Sequence, residues 1–471
     1  VNKRTLVILY VLFDLLTAAL SWTAFYIYRK VQVEPDVFGY AIPLEMGNRF
    51  YLGIIMIPIF WLTLHYLSGA YQDVLHKSKL RELGQTLIIV MTGTVILFFA
   101  LILDDVIVSY KDYYSSFFIL AGLQFILTLT PRLILTNVVS KQIRRDRIQF
   151  NTLMIGSNGK AMEIYREFED RNNDTGNRIV GFLNGNSKGE YQLEGKLKHL
   201  GALADVKQVV EDYGIEEVII ALDTSEHKAV SEIINTLSGT QVIIKASPDI
   251  NDILTGKVRV RSIFGLPLIE ITHALMPVWQ ENLKRLIDVV FSLLALILLS
   301  PLILVLMIGV KLSSKGPILL KQERIGRYGK PFTLYKFRSM VADAEKNGPE
   351  LARKNDDRIT NFGKFMRQRK IDEIPNFINV LKGEMSLVGP RPERQFFIDQ
   401  IVEKAPHYVH LQKVKPGITS WGQVKYGYAG TVDEMLKRLK YDLLYIENMS
   451  LFVDLQIMIY TLLAIFRKEN I

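Results

Sequence analysis

Four apolar stretches crowd the first part of this 471-residue chain, at residues 6–28, 50–66, 86–103 and 115–130. Crossing a bilayer core takes roughly 20 apolar residues, and about 17 suffice where the bilayer thins or flanking side chains reach the interface. The first stretch meets that length and the other three sit at its lower edge. It has no small-residue cleavage site and keeps Trp22, Tyr26 and Tyr28 near its end, so it reads as a retained span rather than a signal peptide. Lys3 and Arg4 precede the first span, Lys77, Lys79 and Arg81 follow the second, and Arg132, Lys141, Arg144, Arg145 and Arg147 follow the fourth. The loop between spans three and four carries Asp104, Asp105 and Asp112 against Lys111 alone. This is the positive-inside distribution for four spans with both ends in the cytoplasm. The alternative, the buried helical core of a soluble bundle, leaves that asymmetry without a cause.

Composition narrows the chemistry. Hydrophobic residues make up 49% of the chain and charged ones 22%, and the mean hydropathy is +0.17. There is no cysteine, which excludes disulfides, thiolate metal sites and a cysteine nucleophile. A net charge of +9 leaves nucleic acid, anionic lipid and phosphorylated small molecules as partners. Length suggests about three domains. Val1 in place of Met points to an alternative start codon or a trimmed chain.

Near residue 150 the composition turns soluble. Short apolar runs at 152–155, 217–222 and 241–245 alternate with helical patterns at 160–171 and 227–237, the signature of a small parallel α/β domain. Gly156-Ser157-Asn158-Gly159 follows the first strand and suggests a phosphate loop. It is not G-x-G-x-x-G, and a plain strand-to-helix turn explains it as well.

A fifth apolar segment, 286–312, is interrupted by Ser300-Pro301. A helix of 15 residues before the break would be about 22 Å long, short of the roughly 30 Å core. Either the segment is a Pro-kinked fifth span or the break returns the chain to the face it entered. Residues 314–371 hold 15 Lys and Arg against 6 Asp and Glu. Exporting such a stretch violates the positive-inside rule, so re-entry, with Ser300 and Pro301 as the hinge, is the expected arrangement.

The basic segment contains Lys336-Phe337-Arg338-Ser339-Met340 and ends at Arg367-Gln368-Arg369-Lys370-Ile371-Asp372-Glu373. A helix is expected to start there, with Asp372 as N-cap and Pro375 in its first turn. Both the helix terminus and the neighbouring cations would keep such a carboxylate ionised, facing a bound phosphoryl group. An ordinary cap paired with arginine is the plain alternative.

The run from Asp372 through Asn376, Gly383, Met385, Gly389 and Pro390-Arg391-Pro392 to Glu393 resembles the signature of the polyprenyl-phosphate glycosyl-1-phosphate transferases. The resemblance extends over about 190 residues, from Lys284-Arg285 through Ser300-Pro301 and residues 336–340 to Lys415-Pro416-Gly417-Ile418-Thr419 and Glu447-Asn448-Met449-Ser450-Leu451. Four spans and an α/β domain ahead of it look like the long-form members. Asn376, Ser420, Gly422 and Met449 depart from the commonest pattern, which bears on sugar or lipid preference and leaves the acidic pair untouched.

The resemblance implies transfer of a hexose-1-phosphate from a UDP-sugar, glucose or galactose in the best-known long forms, to undecaprenyl phosphate. UMP would be released and bacterial exopolysaccharide, capsule or O-antigen assembly started. It makes Asp372 the nucleophile and the Mg²⁺ ligand and gives Glu373 a metal or proton role. Lys336, Arg338, Arg367 and Arg391 become substrate-binding residues, since arginine suits bidentate phosphate contacts. Lys330, Arg353 and Lys364 read as a solvated or lipid-headgroup face. The implied partners are the UDP-sugar, undecaprenyl phosphate and membrane lipid, with no nucleic acid and with room for a homodimer.

His407 and His410, three apart, could share a helix face, but no third metal ligand is in sight. Tyr26 and Lys30 form the only Tyr-x-x-x-Lys, at the end of a span, which weakens a membrane-bound nucleotide-sugar dehydratase or epimerase. A non-catalytic scaffold binding anionic lipid gives no reason for Asp372-Glu373. The expected architecture is a four-helix transmembrane bundle (residues 1–148), a Rossmann-like α/β domain (149–280) and an α-rich monotopic catalytic domain with a re-entrant helix (281–471). The last would face the cytoplasm from the bacterial inner membrane.

Overall fold

The computed structural model describes residues 3–35, 39–40, 43–102, 110–145, 147–170, 176–185, 192–222, 227–237, 240, 242–247, 268–270, 275–341, 344, 348, 350, 356–427 and 429–466. Asp104, Asp105 and Arg353 lie outside the described residues. The chain divides into two compact units, residues 1–149 with 171–176, and residues 150–170 with 177–471.

The first unit holds four long helices, α1 (Lys3–Tyr28), α2 (Asn48–Leu67), α3 (Lys79–Leu97) and α4 (Tyr110–Arg144). Each passes as a span by length and hydropathy, and only 28–33% of its most apolar window is buried within the protein. Helices apolar on their outer faces as well fit a transmembrane bundle. Ser78 caps α3 by accepting a hydrogen bond from Arg81 N. Arg132, read above as a flanking charge, lies instead within α4 and is fully buried. Its guanidinium bonds both oxygens of Asp14 on α1, at 2.9 and 2.6 Å, and Glu82 on α3 at 2.7 Å. Lys77 pairs with Glu82 at 2.8 Å. Two acids thus face two bases, which is how ionised groups survive inside an apolar bundle.

The second unit begins with the α/β domain, a six-stranded sheet in the order β3-β2-β1-β4-β5-β6. Its strands are β1 (Phe150–Ile155), β2 (Asn177–Asn184), β3 (His199–Ala202), β4 (Glu217–Ile220), β5 (Ile243–Ala246) and β6 (Ile269–Glu270). All pairings are parallel except β5 with β6. Helices α5 (Gly159–Asp170), α6 (Val206–Asp212) and α7 (His227–Leu237) complete a Rossmann-like, doubly wound domain. β1 and β4 are near-continuous apolar runs because separate hydrophobic clusters cover the two faces of the sheet. In the 156–159 turn, Ser157 Oγ accepts from Leu193 N at 3.2 Å and Asn158 Oδ1 accepts from Ala161 N at 3.0 Å. Both loop side chains are thus engaged by the domain's own backbone, as in a strand-to-helix turn.

The C-terminal portion opens with α8 (Val278–Leu298) and α9 (Ser300–Ser313), which meet at a bend of 64°. Helix α8 begins at Val278, ahead of the apolar segment, so Asp288 sits well inside it. The break is built chemically. Pro301 cannot donate to Ile297 O four residues back, and Ser300 Oγ donates to that carbonyl instead, at 2.8 Å. Apolar side chains of the bent pair are exposed, among them Phe291, Leu298, Val305 and Leu312.

Beyond it lie an antiparallel pair, β7 (Leu319–Ile325) with β8 (Pro331–Phe337), and helix α10 (Asn361–Gln368). Next come α11 (Asn376–Lys382), β9 (Ser386–Val388) and α12 (Gln395–Lys404). The chain closes with β10 (Gly417–Thr419), parallel to β9, then α13 (Trp421–Tyr426), α14 (Val432–Glu447) and α15 (Leu451–Phe466). Val388, Ile401, Met435 and Tyr445 anchor the main core of this portion. Helix α8 is bolted to it by charge. Lys284 Nζ bonds Asp454 at 2.6 Å and Val388 O at 2.9 Å. Arg285 caps the last carbonyls of α11, Val380 O at 2.6 Å and Leu381 O at 2.9 Å. Asp288 Oδ1 accepts from Leu387 N at 3.0 Å.

Candidate active site

Asp372 and Glu373 do not begin a helix. They lie in a 3₁₀ turn, Ile371–Glu373, and α11 starts only at Asn376. The turn is entered through Lys370, whose φ of 55° is left-handed. A lysine held there stores strain that the surrounding packing must impose. The expectation that Asp372 caps a helix with Pro375 in its first turn is therefore corrected: Pro375 precedes α11 as its N-cap residue.

One cavity of about 690 Å³ is lined by all six polar residues singled out from the sequence, Asp372, Glu373, Lys336, Arg338, Arg367 and Arg391. Lys336 comes from the end of β8, Arg367 from the last turn of α10 and Arg391 from the loop after β9. That loop is pinned from both sides. Gly417 N donates to Pro390 O at 2.9 Å, and Arg324 donates to Pro392 O at 3.0 Å.

Lys336 Nζ lies 2.6 Å from Glu373 Oε1, and Arg391 Nη2 lies 3.4 Å from the same oxygen. Burial alone would push Glu373 up, but Lys336 and Arg391 outweigh it and hold the carboxyl well below its usual range. Asp372 moves the other way: burial first and the Glu373 charge second raise it, against the pull of Lys336 and Arg367. The expectation that its surroundings lower the pKa is thus overturned, because desolvation and an adjacent anion were not visible in a list of neighbouring cations. Burial lowers Lys370 to about 8. Arg367 Nη1 is buried without a hydrogen-bond partner, a donor prepared for an anion in the cavity.

Arg338 is placed differently from its sequence role. Its Nε bonds Ser314 Oγ at 3.1 Å, Nη2 bonds Ser314 O at 2.7 Å, and Nη1 bonds Pro317 O. The guanidinium touches the cavity but is committed to the chain leaving α9. Lys330 and Lys364 are exposed. His410 Nε2 meets Asn235 Oδ1 of α7 at 2.8 Å, and among the described residues no cluster of three His, Asp or Glu is arranged for a metal. Lys30 pairs with Glu34 at 2.6 Å.

Sequence reasoning missed a second charged layer on the same cavity. Glu393 is buried and takes Arg438 at 2.6 Å and Arg324 at 3.3 Å. Gln423 and Lys370 also line the wall. The i,i+4 spacing of Arg438 and Asp442 on one helix was a legible signal for part of it.

Asp372 beside the unpartnered Arg367 Nη1 suits a phosphorylated ligand and a hard cation together, since Mg²⁺ takes one or two carboxylates and completes its shell with phosphate and water. A carboxylate pressed upward by burial and by an anion is also one that a cation would relieve.

Two family models match the chain, "Bacterial sugar transferase" over residues 279–468 and "CoA-binding domain" over residues 66–248. A UDP-N-acetylgalactosamine-undecaprenyl-phosphate N-acetylgalactosaminephosphotransferase of Aeromonas hydrophila is 39% identical over 216 residues, 46% of this chain and 50% of the relative. UDP-glucose:undecaprenyl-phosphate glucose-1-phosphate transferases of Klebsiella pneumoniae and Xanthomonas campestris pv. campestris are 35% and 33% identical. The matches cover 63% of this chain and 63% of the first, and 68% and 67% for the second. The chain thus spans half to two thirds of the length of these relatives. A solved UDP-D-quinovosamine 4-dehydrogenase from Vibrio fischeri covers 26% of this chain and 94% of its own at 14% identity and TM-score 0.21, too low to bear on fold or function. By its sequence relatives, the chain belongs to the bacterial sugar transferase family.

Proposed function

We propose that this chain transfers a hexose-1-phosphate from a UDP-sugar to undecaprenyl phosphate, releasing UMP, through a covalent intermediate on Asp372. The observation that carries the reading is the convergence of Asp372, Glu373, Lys336, Arg367 and Arg391 on one cavity. In the first step an Asp372 oxygen attacks the β-phosphorus, and the bond to the oxygen shared with the α-phosphorus breaks, so that UMP leaves with the electron pair. In the second, an oxygen of the lipid phosphate attacks the same phosphorus and the carboxylate is released. Two displacements let one anion leave before the next arrives.

Arg367 and Arg391 hold the phosphoryl oxygens, and Lys336 keeps Glu373 ionised and in place. Glu373, bound by two cations, serves as their orienting anion better than as a proton acceptor. Mg²⁺ held by Asp372 would neutralise phosphoryl oxygens as charge shifts toward the leaving group.

The bent α8–α9 pair is taken as a re-entrant hairpin that enters and leaves by the cytoplasmic face of the inner membrane, placing the cavity where a lipid phosphate and a soluble donor can meet. The domain limits stated from the sequence, 1–148, 149–280 and 281–471, and a role in exopolysaccharide, capsule or O-antigen assembly belong to the same reading. The named relatives use glucose and N-acetylgalactosamine donors, which sets the first donors to try.

The test is incubation of the purified full chain with undecaprenyl phosphate and a panel of UDP-sugars, with and without a chelator, scoring UMP. UMP release beyond one equivalent per enzyme that requires the lipid, stops on chelation and returns with Mg²⁺ is expected, together with a sugar-phosphate adduct on Asp372 and a single equivalent of UMP when the lipid is omitted. Turnover without any adduct would point to direct transfer in a ternary complex. No UMP from any donor would sink the function.

A further inference from the structure

Gln423 lines the same cavity as Asp372, is 93% buried by residue, and its Oε1 has no hydrogen-bond partner. A buried amide oxygen left unpaired is costly, and the fold has specific means of keeping this one in place. Ser420 caps α13, its Oγ accepting from Gln423 N at 3.0 Å. Gly422 N donates to Asp442 Oδ1 on α14, also at 3.0 Å. A Cβ at Gly422 would come within 2.6 Å of Arg438 Cγ and 2.8 Å of both Asp442 carboxylate oxygens, so α13 rests on α14 with no space for a side chain. Arg438 is itself held by Glu393.

We propose that Gln423 is a donor-recognising residue: its amide oxygen accepts an N–H or O–H from the nucleotide sugar whose phosphate lies at Asp372, with Ser420 and Gly422 setting its reach. The inference rests on the UDP-sugar reading above. A primary amide offers an acceptor and two donors side by side, which suits the imide edge of uracil or a pair of sugar hydroxyls. Because this oxygen is buried, a donor lacking the matching group would leave it unpaired and be disfavoured.

The test compares wild type, Q423L, Q423N and G422A in the full chain, measuring KM for the UDP-sugar, KM for undecaprenyl phosphate, kcat and inhibition by UMP. Loss of one neutral hydrogen bond predicts a rise in donor KM of about 3- to 10-fold in Q423L, with the lipid KM unmoved. G422A, which lifts α13 from α14, should raise donor KM as well. If uracil supplies the N–H, UMP inhibition weakens by the same factor as donor KM rises. If a sugar hydroxyl supplies the group, UMP inhibition holds and the preference among UDP-hexoses that differ at one hydroxyl narrows. An unchanged donor KM in Q423L, or a rise confined to the lipid, overturns the proposal. Should Q423L fail to fold, as judged by gel filtration in detergent, Q423N and G422A decide by the same readouts. Wild-type protein that turns over no UDP-sugar would refute the parent function instead, a separate result.

Discussion

Asp372 and Glu373 are consecutive in one turn, yet the structure sets opposite electrostatic pressures on them, and the difference can be measured. Burial and the Glu373 charge both disfavour an ionised Asp372. D372N removes that penalised charge while keeping the side chain's size, so the variant should melt at or above the wild-type temperature. Glu373 is the counter-ion of Lys336 and Arg391, and E373Q leaves both cations unpaired. Removing one partner of a fully buried pair costs about 3–5 kcal/mol. The Lys336 and Glu373 side chains each keep 16% of their exposure, so some solvent screening remains and a loss of about 2–4 kcal/mol is expected. Thermal unfolding in detergent, followed by UMP release on the same samples, reads both effects. The expected result is D372N without turnover but undiminished in stability, and E373Q several degrees less stable with some residual turnover. If D372N melted as low as E373Q, the electrostatic account would fail. If D372N turned over like the wild type, Asp372 would not be the nucleophile.

Three further outcomes follow from the packing. S300A removes the hydroxyl donor of Ile297 O at the α8–α9 break, and P301A supplies a backbone donor there and favours a straight helix. Single cysteines introduced at Lys284 or Ser314 into this cysteine-free chain should stay protected from an impermeant reagent outside intact cells, while in P301A some of the Ser314 sites become labelled. R338A leaves Ser314 O and Pro317 O without their donor, at about 1–3 kcal/mol per unsatisfied carbonyl, and should expose the α9 exit to limited proteolysis. R132M leaves Asp14 without its counter-ion and Glu82 with Lys77 alone, and a loss of about 3–5 kcal/mol should show as poor recovery of the membrane-extracted protein.

What the sequence made legible was whatever its patterns encode directly. Span length and flanking charge predicted the four helices, and a continuous apolar run followed by a helical period predicted the parallel strands. The residues that meet at the cavity were also within reach, because long ordered motifs name them even though they come from separate elements. Geometry that depends on where an element stops was not. Lys336 and Arg338 are two apart, and an extended strand would place both on one face. β8 ends at Phe337, and the Arg338 guanidinium is bonded to the chain leaving α9.

The same limit explains Asp372 and Arg132. Counting Arg and Lys beside a carboxylate predicts a lowered pKa, but the sign is set by which carboxylate the cations reach. Here Lys336 and Arg391 spend themselves on Glu373, so Asp372 receives burial and a neighbouring anion with too little compensation. For Arg132, a hydropathy window ends at the first charge it meets, so the helix seemed to stop where it in fact continues to Arg144. Its partners, Asp14 and Glu82, lie far away in the sequence on other helices, and only their meeting makes a buried arginine tolerable. In both cases local sequence supplies the charges and tertiary structure supplies the pairing. The nucleophilic role proposed for Asp372 is consistent with that division. With Lys336 and Arg391 engaged by Glu373 and only Arg367 left to it, Asp372 is the carboxylate that would gain most from a bound cation.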